Sequence, residues 1–410
     1  MSDEIKRTDE ERLPEESMCE TENPYQAERA VTKSTDNSVE NSADNSERVE
    51  QKQKTVDKNA PLNNGTVQPK YARTPAPVEP SSEKANENKN TEIHIDGKEE
   101  KKQKPQATVI ISRIVLVVSV IVLLVSGGIF AKNYLELRKN KLEAQKLASQ
   151  LDNKTEEVED AVGVDGILEK YRDLYNQNHD LVGWITVPNT KIDHPVVQAA
   201  DNDFYLRKNF SKKYERRGSI FMDFRCDSVN FVKNTILYGH NYLDSTMFSD
   251  LEKYKDLEFY KSAPVIEFNT IYKNCKWKVF GVYLSNADEK DDNGYALYYI
   301  HPFMTDDNFE AYVQTVRERS IINMPVDIER TDKILTLSTC TRDMDLPGRG
   351  QTNARCVIVA RLVRDGERED VNVSAATYNE NPRYPQVWYT AHGLENPYVN
   401  ASRWYPEGNG

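Results

Sequence analysis

The sequence predicts a mainly β fold: a closed β-barrel with peripheral helices, preceded by a disordered tail, one transmembrane helix and a helical stalk. Three observations predict it. From Trp184 onward, β-branched and aromatic runs alternate with turn residues at intervals of roughly ten positions, the pattern of a barrel built from many short strands. An uncharged apolar stretch runs from Ile114 to Ala131, and before it residues 1–105 contain only two aromatics, Tyr25 and Tyr71. The chain has 410 residues, 38% of them hydrophobic, and a formal net charge of -12. That is too few apolar residues for one packed core of this length, so the composition must be uneven along the chain. The acidic balance excludes a general nucleic-acid binder, which needs a dense Lys/Arg surface to neutralise phosphates. Five Cys exclude a disulfide scaffold and leave room for one reactive thiol.

Residues 1–105 are rich in Glu, Asn, Ser, Lys, Thr and Gln and carry about half of the net negative charge. Such a segment cannot bury enough apolar surface to offset its ordering entropy and is expected to be disordered. Residues 108–131, with Thr108 to Ile111 added before Arg113, are long enough at about 1.5 Å per residue to cross a hydrocarbon layer of about 30 Å. The long polar stretch ahead of them argues for an uncleaved signal-anchor rather than a signal peptide. Five basic residues flank each side (Lys98, Lys101, Lys102, Lys104, Arg113 before; Lys132, Arg138, Lys139, Lys141, Lys146 after), so charge leaves the orientation tied. Residues 132–164 read as a helical stalk, with Leu135, Leu137, Leu142, Leu147 and Leu151 among charged residues and with Gly163 as punctuation. A short helix is expected over Ile167–Tyr175, with Ile167, Leu168, Tyr171 and Tyr175 on one face.

The barrel is expected over 165–365. Its strands are read at Trp184–Val187, Val196–Val197, Ser219–Met222, Thr235–Tyr238, Val265–Phe268, Lys276–Tyr283, Ile334–Thr339 and Cys356–Val363. One helix interrupts them: Phe309, Tyr312, Val313 and Val316 share a face behind the acidic turn Asp306–Asp307. Residues 366–410 interleave seven aromatics (Tyr378, Tyr384, Trp388, Tyr389, Tyr398, Trp404, Tyr405) with Pro, Asn and Gly and show no helical or strand period. They read as a tail over the barrel, with glycan contact through ring stacking as the alternative.

Of the five Cys, Cys19 lies in the tail, and Cys226, Cys275 and Cys356 sit where a thiol can serve as a small buried hydrophobe. Cys340 ends a strand and precedes a polar loop, Thr341 to Asn353, which places its sulfur at a barrel rim, although a structural role at a strand end explains the position equally well. Thiol chemistry also needs an acid/base and an oxyanion donor. His240 ends the run Thr235–Gly239 at another strand end, and Arg355 opens the apolar run Cys356–Ala360, where an Arg is usually solvated. No His/Cys/Asp/Glu cluster shows metal-ligand spacing, and no cofactor is expected.

Thr336-Leu337-Ser338-Thr339-Cys340 with its downstream Arg and Val-Ile-Val strand, together with Asn234-Thr235-Ile236-Leu237-Tyr238-Gly239-His240, resembles the class B sortases, membrane-anchored cysteine transpeptidases of Gram-positive bacteria. Leu181–Ile185, Ile192–Gln198, Asn202–Leu206, Gly218–Asp223 and the helix at 306–319 are similar to that class in order and spacing, so the likeness covers 165–365. It implies a sortase-type β-barrel outside the membrane and a cytoplasmic N-terminus. It implies Cys340 as nucleophile, His240 as acid/base (an imidazolium that protonates the departing amine) and Arg355 as the oxyanion-side donor. Asn202, Leu206, Tyr299, Ile300 and Ser338 match positions lining the substrate groove. The implied partners are sorting-signal peptides of secreted proteins, cleaved after Thr, and an amine acceptor from a peptidoglycan precursor. Neither the amine acceptor nor the oligomeric state can be read from the sequence. A Cys-His wall peptidase and a pilin-polymerising sortase are the alternative activities. The interval from Cys340 to Arg355 is longer than the class leads one to expect, and its loop holds Arg342 and Arg349 as competing donors.

Overall fold

The β-branched runs close on themselves: eight strands form a barrel in the order Leu181–Thr186, Asp193–Val197, Ile220–Met222, Asn234–Tyr238, Ile334–Cys340, Ala354–Leu362, Lys276–Asn286 and Val265–Thr270. The computed structural model describes residues 106–158, 161–242, 244–288, 299–346 and 352–405. The expected disordered tail, 1–105, lies outside the described residues.

The strands are β1 (Leu181–Thr186), β2 (Asp193–Val197), β3 (Ile220–Met222), β4 (Asn234–Tyr238), β5 (Val265–Thr270), β6 (Lys276–Asn286), β7 (Ile322–Asn323), β8 (Ile334–Cys340), β9 (Ala354–Leu362) and β10 (Thr377–Tyr378). Neighbours in the barrel are antiparallel except for the β2–β3 and β4–β8 pairs. A parallel pair needs a long crossover, and here the chain between β4 and β8 supplies a short helix, α3 (Leu257–Ser262), then β5 and β6, a longer helix, α4 (Asp306–Arg319), and β7. Ile185, Ile236, Ile266, Phe268, Val279, Leu335, Leu337 and Val359 are all buried, and Trp277 packs its ring edge-on against Phe231. The apolar face of α4 carries Phe309, Tyr312 and Val316 into this core, and Thr305 caps its first turn by accepting from the Asn308 backbone N–H.

Helix α1 runs from Gln106 to Val158. From Ile110 to Phe130 its large apolar side chains are exposed, and the helix is long and apolar enough to cross a membrane. Ser119 and Ser126 return their hydroxyls to the carbonyls of Val115 and Val122, so neither is left unsatisfied among apolar neighbours. Farther along, Leu147 and Leu151 are buried in the barrel's core cluster, and Glu143 accepts from Asn209 and Ser211.

Two expectations need correction. The short helix does not begin at Ile167: Leu168 is extended and donates its N–H to the Ile271 carbonyl at 2.8 Å, and helical turns cover Glu169–Tyr171 and α2 (Arg172–Gln177). Burying Ile167 and Leu168 at a sheet edge outweighs their helical spacing. Residues 366–405 are not without regular structure. β10 pairs with β7, and α5 (Gln386–His392) buries Val387 and Tyr389 and ends at Gly393, whose φ of 66° is the left-handed C-terminal cap. Trp388 is stacked against Tyr384 at 3.9 Å and against His392 at 4.1 Å.

Candidate active site

Strand register brings one rim of the barrel together. β8 and β9 pair without a register shift, so Cys340 and Arg355 are direct cross-strand partners and share a face, as do Ser338 and Val357 two residues in. On the other side of β8, Tyr238 is the parallel partner of Ser338, and the chain continues past β4 through Gly239 to His240. That continuation is held in place. The Gly239 N–H donates to the Ser338 carbonyl at 3.2 Å, and the Thr339 hydroxyl donates to the Gly239 carbonyl at 2.8 Å. A Cβ at Gly239 would lie 2.7 Å from the Phe248 ring, which explains the glycine before the histidine.

Cys340 is buried to 9% exposure at the end of β8. Asn241 donates from Nδ2 to the Cys340 carbonyl at 2.7 Å, tying the residue after His240 to the thiol-bearing strand end. Among the described residues, Cys226, Cys275, Cys340 and Cys356 form no disulfide. Burial pushes the Cys226 thiol up to about 12 and the Cys275 thiol up to about 11, and holds Cys356, fully buried on the opposite face of the strand from Arg355, well above the ordinary thiol range.

The His240 ring lies with Nε2 3.0 Å from the Leu206 carbonyl. A carbonyl only accepts, so Nε2 carries the proton and the Nδ1 lone pair is left for chemistry. Burial lowers the His240 pKa to about 4, with the nearby Arg207 and Arg355 charges acting in the same direction against the Leu206 bond. The resting ring is therefore neutral at physiological pH. Gly218 helps to set the Leu206 carbonyl: its φ is 57°, and a Cβ there would lie 2.5 Å from both the Tyr205 and Leu206 carbonyl oxygens.

Arg355 is only 4% exposed, so the expectation that an arginine opening an apolar strand is solvated does not hold. It pairs with the end of β8 and donates from Nη1 to the Ala354 carbonyl at 3.1 Å. Of its competitors, Arg342 is exposed and Arg349 lies outside the described residues.

Tyr299 is fully buried, and its hydroxyl lies 3.0 Å from the Ser338 hydroxyl; the charges of both Arg355 and Cys340 reach it. Ile300 is buried beside it, with its carbonyl held by Arg225 at 2.8 Å, and Asn202 is buried with Nδ2 donating to Asp223. Leu206 meets the site through its backbone. The clefts lined by Glu143, Leu147, His194 and Ile220, and by Lys170, Glu267 and Lys276, include none of Cys340, His240 and Arg355. Asn241, Thr339, Asp223 and Arg225 were not assigned roles from the sequence, although Asn241 directly follows the histidine and Thr339 and Asp223 lie within the matched segments. No group of His, Cys, Asp and Glu among the described residues could hold a metal ion.

The sortase domain family model matches residues 185–363. Sortase B of Listeria monocytogenes is 37% identical over 198 residues, covering 48% of this chain and 75% of that protein. Sortase B of Staphylococcus aureus is 31% identical over 251 residues, covering 61% of this chain and 96% of that protein. Among solved structures, a Staphylococcus aureus sortase B–substrate complex matches with 32% identity and a TM-score of 0.49, over 56% of this chain and 99% of that one.

Proposed function

The chain belongs to the sortase family of cysteine transpeptidases, its relatives being sortase B proteins, and from that membership we propose that Cys340, His240 and Arg355 carry out its acyl transfer. The observation that carries the assignment is the register of the three strand ends, which puts thiol and guanidinium on one face with the histidine at the adjoining rim.

In this reading the Cys340 sulfur attacks the carbonyl carbon of a threonine in a sorting signal, and the thiol proton passes to Nδ1 of the neutral His240. The oxyanion forms opposite Arg355, whose N–H donors cannot lose their charge. The C–N bond then breaks, the imidazolium returns its proton to the departing amine, and a thioester remains on Cys340. An amine from a peptidoglycan precursor attacks the thioester, its proton passes through His240, and the Cys340 thiol is regenerated. His240 is thus charged only within the cycle, which fits the burial that keeps it neutral at rest.

Asn202, Leu206, Tyr299, Ile300 and Ser338 are proposed to line the groove for the signal peptide. Residues 108–131 are proposed to cross the membrane once with 1–105 on the cytoplasmic side, 132–164 to form the stalk, 165–365 to act outside as the catalytic barrel, and 366–410 to be an extension of it. Incubation of the full-length protein in detergent with sorting-signal peptides, with and without a glycine-type amine, tests the reaction class. Transpeptidation predicts a product whose mass includes the amine. A hydrolysed product that is the same in both reactions contradicts it and favours a Cys-His peptidase.

A further inference from the structure

Asp223 directly follows β3 and is fully buried. Its Oδ2 accepts from Asn202 Nδ2 at 3.0 Å, from the Tyr238 hydroxyl at 3.0 Å and from Arg225 Nη2 at 3.0 Å. Its Oδ1 accepts from Arg225 Nε at 2.9 Å and from the Arg225 backbone N–H at 3.0 Å. Arg225 Nη2 also donates to the Ile300 carbonyl at 2.8 Å, and Asn202 Oδ1 accepts the Phe224 N–H at 3.0 Å. A carboxylate removed from water is tolerated only when its acceptor sites are filled, and a network of this kind stands or falls as a unit.

The network joins three segments that are distant in sequence. Asn202 leads into the turn that presents the Leu206 carbonyl, Ile300 precedes α4, and Tyr238 ends β4 two residues before His240. Asn202 and Ile300 are two of the residues proposed to line the groove, and Asp223 is the shared anchor of both. The pairing of Cys340 with Arg355 depends instead on the β8–β9 ladder, to which Asp223 does not belong. We propose that Asp223 is a positioning residue for peptide recognition: its carboxylate fixes Asn202 directly and the Ile300 carbonyl through Arg225, setting the spacing of the substrate groove. The inference rests on the catalytic reading above, and it predicts that losing the carboxylate loosens the groove while leaving the thiol's surroundings intact.

The test uses full-length protein in detergent, a threonine-containing sorting-signal peptide, and a small methanethiosulfonate reagent that reports on Cys340 without needing the groove. Asp223→Asn replaces one acceptor oxygen by an amide donor facing donors. It is expected to raise KM by about tenfold, with a smaller change in kcat and an unchanged rate of thiosulfonate labelling. If Asp223→Asn fails to show a cooperative melt, Arg225→Lys decides on the same criteria, because it keeps the charge beside Asp223 but not the fork that reaches both Asp223 and Ile300. An unchanged KM in the folded variant, or parallel losses in kcat and labelling, overturns the positioning role. Wild-type protein in which Cys340 resists the reagent overturns the catalytic reading and this inference with it.

Discussion

Two arginines on β9, six residues apart and on the same face, show how position in the barrel divides structural from chemical use. Arg361, at the far rim, is fully buried and held bidentately by Glu367 at 2.6 and 2.7 Å, with Asp327 and Asp332 also within reach. Its charge is cancelled where it stands, and the pair holds the Glu367 carboxyl well below the usual carboxylate range. Arg355, at the other rim, is almost as deeply buried but is partnered across the ladder by Cys340 and lies close enough to lower the His240 pKa. One guanidinium fastens the barrel to the chain that follows it; the other brings positive charge to a thiol and an imidazole. The same residue type in the same strand is assigned its role by what the register sets opposite it.

The contrast can be broken first at Arg355. Arg355→Ala is expected to slow thioester formation by about 10²–10³-fold, the usual effect of losing one oxyanion donor, while the melting temperature stays close to wild type. Full activity in this variant, measured by single-turnover trapping, sinks the assignment. Arg361→Ala should do the reverse. It leaves Glu367 and the buried Asp332 short of a partner and costs about 3 kcal/mol of stability, read as a lower urea midpoint, and the molecules that remain folded should acylate at the wild-type rate.

The rims should also separate on the pH axis. The folded pKa of His240 is about 4 against 6.5 for the free side chain, so its contribution to stability is complete above pH 6.5 and is lost as pH falls from 6.5 towards 4. His194 and His301, lowered to about 4 by burial, add to the same window. The Arg361–Glu367 clamp works lower: Glu367 has a depressed folded pKa, so its contribution is present above the ordinary glutamate value of 4.5 and is lost only below it. Melting temperatures recorded across this range should fall in two stages, and replacing His301 by Asn should flatten only the upper stage. A melting temperature constant between pH 6.5 and 4.5 contradicts the buried neutral histidines. The smallest effect is expected for Asn241→Ala, which releases the Cys340 carbonyl and should slow acylation by about fivefold, equivalent to about 1 kcal/mol for one hydrogen bond. An acylation rate equal to wild type would show that the bond does not help to hold the strand end.

The barrel was legible because its strands are written in β-branched runs such as Thr235-Ile236-Leu237 and Val357-Ile358-Val359, whose burial in the sheet agrees with their local preference. The rim positions of Cys340 and His240 followed from where those runs end. What sequence reading missed depends on distant partners. Arg355 is buried where β9 pairs with the end of β8, and the acceptor that fixes the tautomer of His240 is a backbone carbonyl, which residue type does not reveal. The neutral state of His240 follows from burial, which no motif encodes. Helix α5 escaped detection because its seven residues hold only Val387, Trp388 and Tyr389 as large apolar groups; the left-handed Gly393 after His392 was the available signal. Asp223 sat within a matched segment, but its role depends on Asn202, Arg225 and Tyr238 converging from separate stretches of chain.

The most direct test of the site is to trap its covalent intermediate. Full-length protein is incubated with a library of sorting-signal peptides and no amine, quenched in acid, digested and examined by mass spectrometry for acyl adducts on each cysteine. The account predicts a threonine-terminated acyl group on the peptide containing Cys340, lost in Cys340→Ala and strongly reduced in Arg355→Ala, with Cys226, Cys275 and Cys356 unmodified. Product release without any adduct on Cys340, or an adduct that forms equally well in Arg355→Ala, would contradict it.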